Sequence, residues 1–299
     1  MKRCKVLILC GGGIFGVIPT HFLSMLPENE QNLNKIDALG GCSIGGALTC
    51  AYAVGQEFTY IDKIFQRRAK ECFTKRCVAK INPLASPTYR ADTLDKVFHD
   101  MIGNKLVSYV KEKYPNLNIV VPALDITNDV PVTFENITGK WDNLKLKKIA
   151  QCTSAAPSYY EGRELDGNCI VDGGVIDVDA ILTTVVTLKN ELKIPFEAMD
   201  VFSLGTGEDI DPNPLTVKRY NSLNLLGVAT DVLVPYVVLS NKMWGKQICT
   251  ALDFHHFNYF NPIKINGKLD EYEQIPDLVK EADKHRDEFL EAYNYWLTL

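Results

Sequence analysis

No apolar run in this 299-residue chain is long enough to cross a bilayer. The longest late stretch, Val232 to Leu239, falls far short of the ~20 residues a spanning helix needs. Positive charge is not in excess either. Lys and Arg number 32 against 37 Asp and Glu, a net of −5, which excludes a nucleic-acid polymer held through its phosphates as a partner. Internal repeats and low-complexity linkers are missing. With 46% apolar and 23% charged residues, 20 Gly and 14 Pro, collagen, coiled coil and wholesale disorder are excluded. Metal-ligand spacing is lacking too: the nine Cys include no Cys-x-x-Cys, and no His pair stands at zinc-finger spacing. The odd Cys count, and runs such as Leu9-Cys10-Gly11 and Cys169-Ile170-Val171, suit free thiols in a reducing compartment. A cytoplasmic protein, soluble or peripheral at a membrane, is expected. Lys2, Arg3 and Lys5 ahead of Val6 to Cys10 imitate a secretory signal. Three glycines break that run at once, and a first β-strand explains it better.

What the chain does have is an alternation of apolar strands and helices. Val6 to Cys10, Ile119 to Leu124, Asn168 to Val171 and Val201 to Leu204 read as strands. Helices are expected over about Val17 to Leu26, Ala47 to Val54 and Asp62 to Lys80, with another starting at Lys147. The alternation predicts an α/β fold with a mostly parallel sheet, taken as a single domain over 1–299. Asp62 to Lys80 carries seven Lys/Arg against Asp62 and Glu71. Its Arg67, Arg68 and Lys70 are candidates to meet anionic lipid. Residues 270–291 carry nine acids and three basic residues. The apolar spacing there predicts one amphipathic helix docked on the body, with a solvated acidic face.

Glycine motifs carry the chemistry. Gly11-Gly12-Gly13-Ile14-Phe15-Gly16 satisfies the dinucleotide fingerprint. Asp37-Ala38-Leu39 leads a second strand into Gly40-Gly41, so Asp37, the only acid near the distance where a ribose is held, precedes that strand instead of ending it. The other use of such glycines is a nest of free N–H groups facing an anion or oxyanion. Gly41-Cys42-Ser43-Ile44-Gly45 is a G-x-S-x-G, whose glycines let a serine nucleophile sit on a sharp strand-to-helix turn. A bland helix start capped by Ser43 is the alternative. His255 and His256 lie in an aromatic run that reads as a packed strand or loop. Ser43 also comes too early for the α/β-hydrolase order, which disfavours a histidine triad. Asp172, ahead of Gly173-Gly174, is the remaining base candidate. At the C-terminal end of a parallel strand it would share a sheet edge with the glycine turns. A plain Asp-Gly turn stays open there.

Together the three motifs resemble the patatin-like phospholipase family. Softer stretches agree in order: Ala123 to Asp125 with Pro131 to Phe134, Thr153 to Tyr160, and Ser203 to Gly207. The likeness runs from about residue 5 to 208, leaving 209–299 as a cap or packing region. It implies a three-layer α/β/α sandwich and a dyad of Ser43 and Asp172 without histidine. It implies an oxyanion hole at Gly11, Gly12 and Gly13, with the N–H groups of Gly12 and Gly13 as donors, and an elbow framed by Gly41 and Gly45. The implied activity is a lipid acyl hydrolase of phospholipase A or lysophospholipase type, acting on lipid at a membrane surface with no metal or cofactor. Phe15 stands where family members often carry Arg or Lys. Ile176 to Asp179 replaces a frequent Asn-Asn-Pro, and its Asp177 and Asp179 read as turn or capping residues. An acyltransferase or a non-hydrolytic lipid binder stays open as an alternative. So does an effector switched by a cyclic nucleotide, although 209–299 shows no phosphate-binding signature. A dinucleotide-binding oxidoreductase would require Ser43 and Asp172 to be accidental.

Overall fold

The computed structural model describes residues 2–76, 87–209, 245 and 247–299. β1 (Cys4–Leu9) leads through the glycine loop into α1 (Val17–Ser24), and β2 (Ala38–Gly41) leads through Ser43 into α2 (Ile44–Ala53) and α3 (Phe58–Cys72). There follow α4 (Ala91–Ile102), α5 (Ser108–Lys113), β3 (Asn118–Asp125), β4 (Val130–Glu135), α6 (Leu146–Thr153), β5 (Arg163–Leu165), β6 (Asn168–Asp172) and α7 (Ile181–Leu192). The rest is β7 (Met199–Leu204), β8 (Glu208–Asp209), β9 (His256–Phe260), β10 (Lys264–Ile265), α8 (Ile275–Lys284) and α9 (Arg286–Thr298).

The main sheet has the strand order β5-β6-β3-β2-β1-β7-β9, with β4 also paired to β3. The run from β3 through β2, β1 and β7 to β9 is parallel. β4 and β6 run antiparallel to β3. The central strands are mostly apolar because both faces are covered. Leu7, Leu9, Leu39, Val121 and Phe202 pack beneath α1 to α6, α8 and α9. Their alternates Val6, Ile8, Ala38 and Val201 pack with Ile181, Val185 and Leu188 of α7. Period-two alternation in the strands thus builds the three expected layers.

Two helices depart from the sequence reading. The basic helix ends at Cys72: the chain turns at Phe73, and Lys75 already bridges to Tyr89. Lys80 and Val232 to Leu239 lie outside the described residues. The acidic tail is two helices, not one. A break at His285 (φ −99°, ψ 12°) re-aims the chain. Ile275, Leu278 and Ala282 of α8 and Phe289, Tyr293 and Trp296 of α9 therefore all reach the core. The Trp296 indole N–H donates to the Asp200 carbonyl at 2.8 Å. None of the eight described cysteines is in a disulfide, and of them only Cys169 is not buried. Among the described residues no helix is long and apolar enough to cross a membrane.

Candidate active site

β3 brings the two candidate catalytic residues together. Its Val120 pairs with Gly40 of β2 and its Ala123 with Asp172 of β6. Both of these β3 residues pair with β4 as well, so β2 and β6 share the opposite edge. The two strands run toward each other along that edge and stop short of meeting. Ser43 sits just past the tip of one, and Asp172 forms the tip of the other. The expectation that Asp172 ends a parallel strand is corrected here: β6 is antiparallel and arrives from the far side. The facing tips let Ser43 Oγ donate to Asp172 Oδ2 at 2.7 Å.

Ser43 occupies φ 54°, ψ −123°, a region that costs a non-glycine residue roughly 1–3 kcal/mol. Its neighbours make the tight turn possible. A Cβ at Gly45 would collide with the Leu9 carbonyl, and one at Gly41 with the Gly45 carbonyl. The close approach of α2 to the end of β1 therefore requires glycine at 45, and that of β2 to α2 requires it at 41. Ser43 makes no side-chain cap to α2. Its hydroxyl is turned to Asp172 instead, which counts against the bland capping reading.

Asp172 is 4% exposed. Burial pushes its pKa up from 3.8 to about 6, against the opposing pull of hydrogen bonds from Ser43, Gly174 and Cys42. Oδ1 accepts from the Gly174 N–H at 2.7 Å and from the Cys42 thiol at 3.8 Å. A carboxylate so raised is a stronger base than an exposed one, yet is ionised at neutral pH.

The glycine loop divides its donors. Gly11 N–H donates to the Val178 carbonyl at 2.8 Å, so it is not available to an oxyanion. Ile14 N–H is held by the Leu269 carbonyl at 2.9 Å. The N–H groups of Gly12 and Gly13 between them take no partner among the described residues. Thr206 Oγ1 donates to the Gly11 carbonyl at 2.7 Å and fills the space a Cβ at Gly12 would need. Phe15 is buried in the main core, so it offers nothing to a lipid phosphate.

The other candidates lie elsewhere. Asp177 Oδ2 accepts from the Thr183 N–H at 2.8 Å, in the first turn of α7, which suits the capping role. His255 Nδ1 lies 2.6 Å from Asp200 Oδ1, and Asp200 pairs with Lys5 at the opposite end of β1 from the glycine loop. That is roughly 13 Å or more along the strand from the Ser43–Asp172 pair. A cleft of about 560 Å³ beside Trp141, Val132 and Leu165 includes neither Ser43 nor Asp172. Three contacts at the site were not legible in advance: the Gly174 N–H, the Cys42 thiol, and the Thr153 hydroxyl, which accepts from the Ser43 N–H. The stretch Thr153 to Tyr160 gave the only hint, as one of the softer matches.

A cGAMP-activated phospholipase of Escherichia coli is 25% identical over 283 residues, covering 85% of this chain and 77% of the relative. Patatin-like protein 2 of Arabidopsis thaliana is 26% identical over 295 residues, covering 84% and 70%. The solved structure of VipD from Legionella pneumophila aligns with 98% of this chain and 67% of its own at 12% identity and a TM-score of 0.49. A family model described as patatin-like phospholipase matches residues 7–184, a span that takes in the glycine loop, the G-x-S-x-G elbow and the Asp-Gly-Gly. The chain belongs to the patatin-like phospholipase family.

Proposed function

We propose that this chain is a serine-dependent lipid acyl hydrolase of phospholipase A or lysophospholipase type, in which Ser43 is the nucleophile and Asp172 the general base. The 2.7 Å hydrogen bond from Ser43 Oγ to a buried carboxylate carries the reading. Ser43 Oγ attacks the ester carbonyl while its proton passes to Asp172 Oδ2. The developing oxyanion is met by the free N–H groups of Gly12 and Gly13 and by the positive end of α2. Asp172 returns the proton to the departing alcohol, then deprotonates the water that attacks the acyl-enzyme, and gives that proton back to Ser43 Oγ as the fatty acid leaves. In the same proposal 1–299 is one domain, with β9, α8 and α9 completing the sheet and core.

The lipid is met from water. Tyr60, Lys63, Arg67 and Lys70 are exposed on α3 at spacings that share one face. Lys63 and Arg67 take no carboxylate partner among the described residues. Lys70 lies over the Tyr272 ring at 5.7 Å. Arg68 is paired with Glu71 and Asp100 and leaves the set. Ser43→Ala tests the chemistry. Hydrolysis of a short-chain ester is expected to fall about a thousandfold or more, with a stability change within about 1 kcal/mol. Turnover above a tenth of wild type would rule out Ser43 as nucleophile.

A further inference from the structure

The head-on arrangement of β2 and β6 leaves a gap in the edge of β3 at Val121 and Pro122. Pro122 faces Thr133 of β4. Having no N–H, it cannot exchange the paired hydrogen bonds of an antiparallel ladder. Its carbonyl therefore points to the other edge, into the gap. The Thr133 carbonyl likewise points away from β3 and accepts from the Trp141 indole at 2.9 Å. A proline in a central strand usually signals disruption. Here it removes an N–H that would have had no strand to pair with.

One side chain fills the gap. Thr153, fully buried at the end of α6, donates its hydroxyl proton to the Pro122 carbonyl at 2.7 Å. That bond orients the oxygen's lone pairs, and the oxygen accepts from the Ser43 N–H at 3.0 Å. The next turn braces the base: the Ala155 carbonyl accepts from the Asp172 N–H at 3.1 Å. The Thr153 methyl rests against the place where a Cβ at Gly46 would stand, so its rotamer is fixed by α2.

We infer that Thr153 is a positioning residue for the nucleophile, whose hydroxyl stands in for the missing strand bond between β3 and the elbow and holds Ser43 aimed at Asp172. It touches no substrate and transfers no proton. It fixes the backbone of a residue held in an unfavourable conformation, at a site where a displacement of about 1 Å can cost a hundredfold in rate. The inference rests on the reading of Ser43 as nucleophile.

The test compares Thr153→Val, which keeps the shape and loses the hydroxyl, with Thr153→Ser, which keeps the hydroxyl. Steady-state hydrolysis of a short-chain ester is measured together with the rate at which a fluorophosphonate probe labels Ser43. Thr153→Val is expected to lower kcat and the labelling rate by ten- to a hundredfold at little change in KM. Thr153→Ser is expected to restore both to within about threefold of wild type. Should Thr153→Val not fold, Thr153→Ala, which has room to relax, is set against Thr153→Ser with the same expectation. Valine or alanine variants that melt earlier but label and turn over like wild type below their melting point would overturn the inference, leaving Thr153 a packing residue. A wild-type protein that does not label at Ser43 would overturn the catalytic reading first, and this inference with it.

Discussion

Ser43 and Asp172 lie 129 positions apart in sequence and meet at 2.7 Å because the strands carrying them end nose to nose on one edge of β3. Asp172 is thereby buried at a strand tip, with no ion-pair partner among the described residues, and this sets the pH behaviour of the site.

Activity is expected to fall about tenfold per pH unit below about pH 6, where Asp172 takes up its proton. Stability should move the other way. The folded-state pKa lies above the unfolded one, so between about pH 4 and pH 6 the native state binds more protons than the unfolded state. Stability then falls as pH rises through that window, by roughly 3 kcal/mol in total. Asp172→Asn removes the buried charge. At pH 8 it should be inactive, yet melt no lower than wild type and several degrees higher if the penalty is fully expressed. The advantage should vanish toward pH 4. Melting curves of both proteins across pH check this, and an Asp172→Asn variant that turns over normally would contradict the assignment of the base.

His255→Ala and His256→Ala are expected to keep ester hydrolysis within about threefold of wild type. His255 belongs to a network with Asp200 and Lys5 at the far end of the sheet. Loss of His255 should therefore show in thermal stability, not in kcat. An inactive but folded variant at either position would bring back a histidine-based triad.

Binding to anionic vesicles should depend on Lys63, Arg67 and Lys70. At roughly 1 kcal/mol per basic residue near the surface, replacing the three with Gln should weaken sedimentation with such vesicles by about a hundredfold at low salt. Added salt should weaken the wild type in the same way. Arg68→Gln is expected to do little, since Arg68 is engaged by Glu71 and Asp100. Binding indifferent to salt and to the triple substitution would place the contact on apolar residues.

The sequence made the glycine turns legible because their chemistry is local. Gly41 and Gly45 frame a turn only a few residues long, and Gly12 and Gly13 offer donors whatever else surrounds them. The meeting of Ser43 with Asp172 was expected, but by the wrong geometry. Strand direction depends on which edge a distant strand joins, and the short segment Asn168 to Asp172 says nothing of that. The same holds for Gly11, whose N–H is taken by a carbonyl 167 positions away, and for Arg68, whose partner Asp100 sits on another helix. The break at His285 left no signal because the apolar spacing of the tail continues across it. Thr153 was visible as part of a matching stretch, but its partners Pro122 and Ser43 are set only by the packed sheet.

The most direct measurement is to map where a fluorophosphonate probe attaches, by peptide mass spectrometry, in the wild type and in Asp172→Asn. The expected result is a single adduct on Ser43 in the wild type, and labelling slowed at least a hundredfold in folded Asp172→Asn. An adduct on another residue, or equal labelling of the two proteins, would contradict a Ser43 nucleophile activated by Asp172.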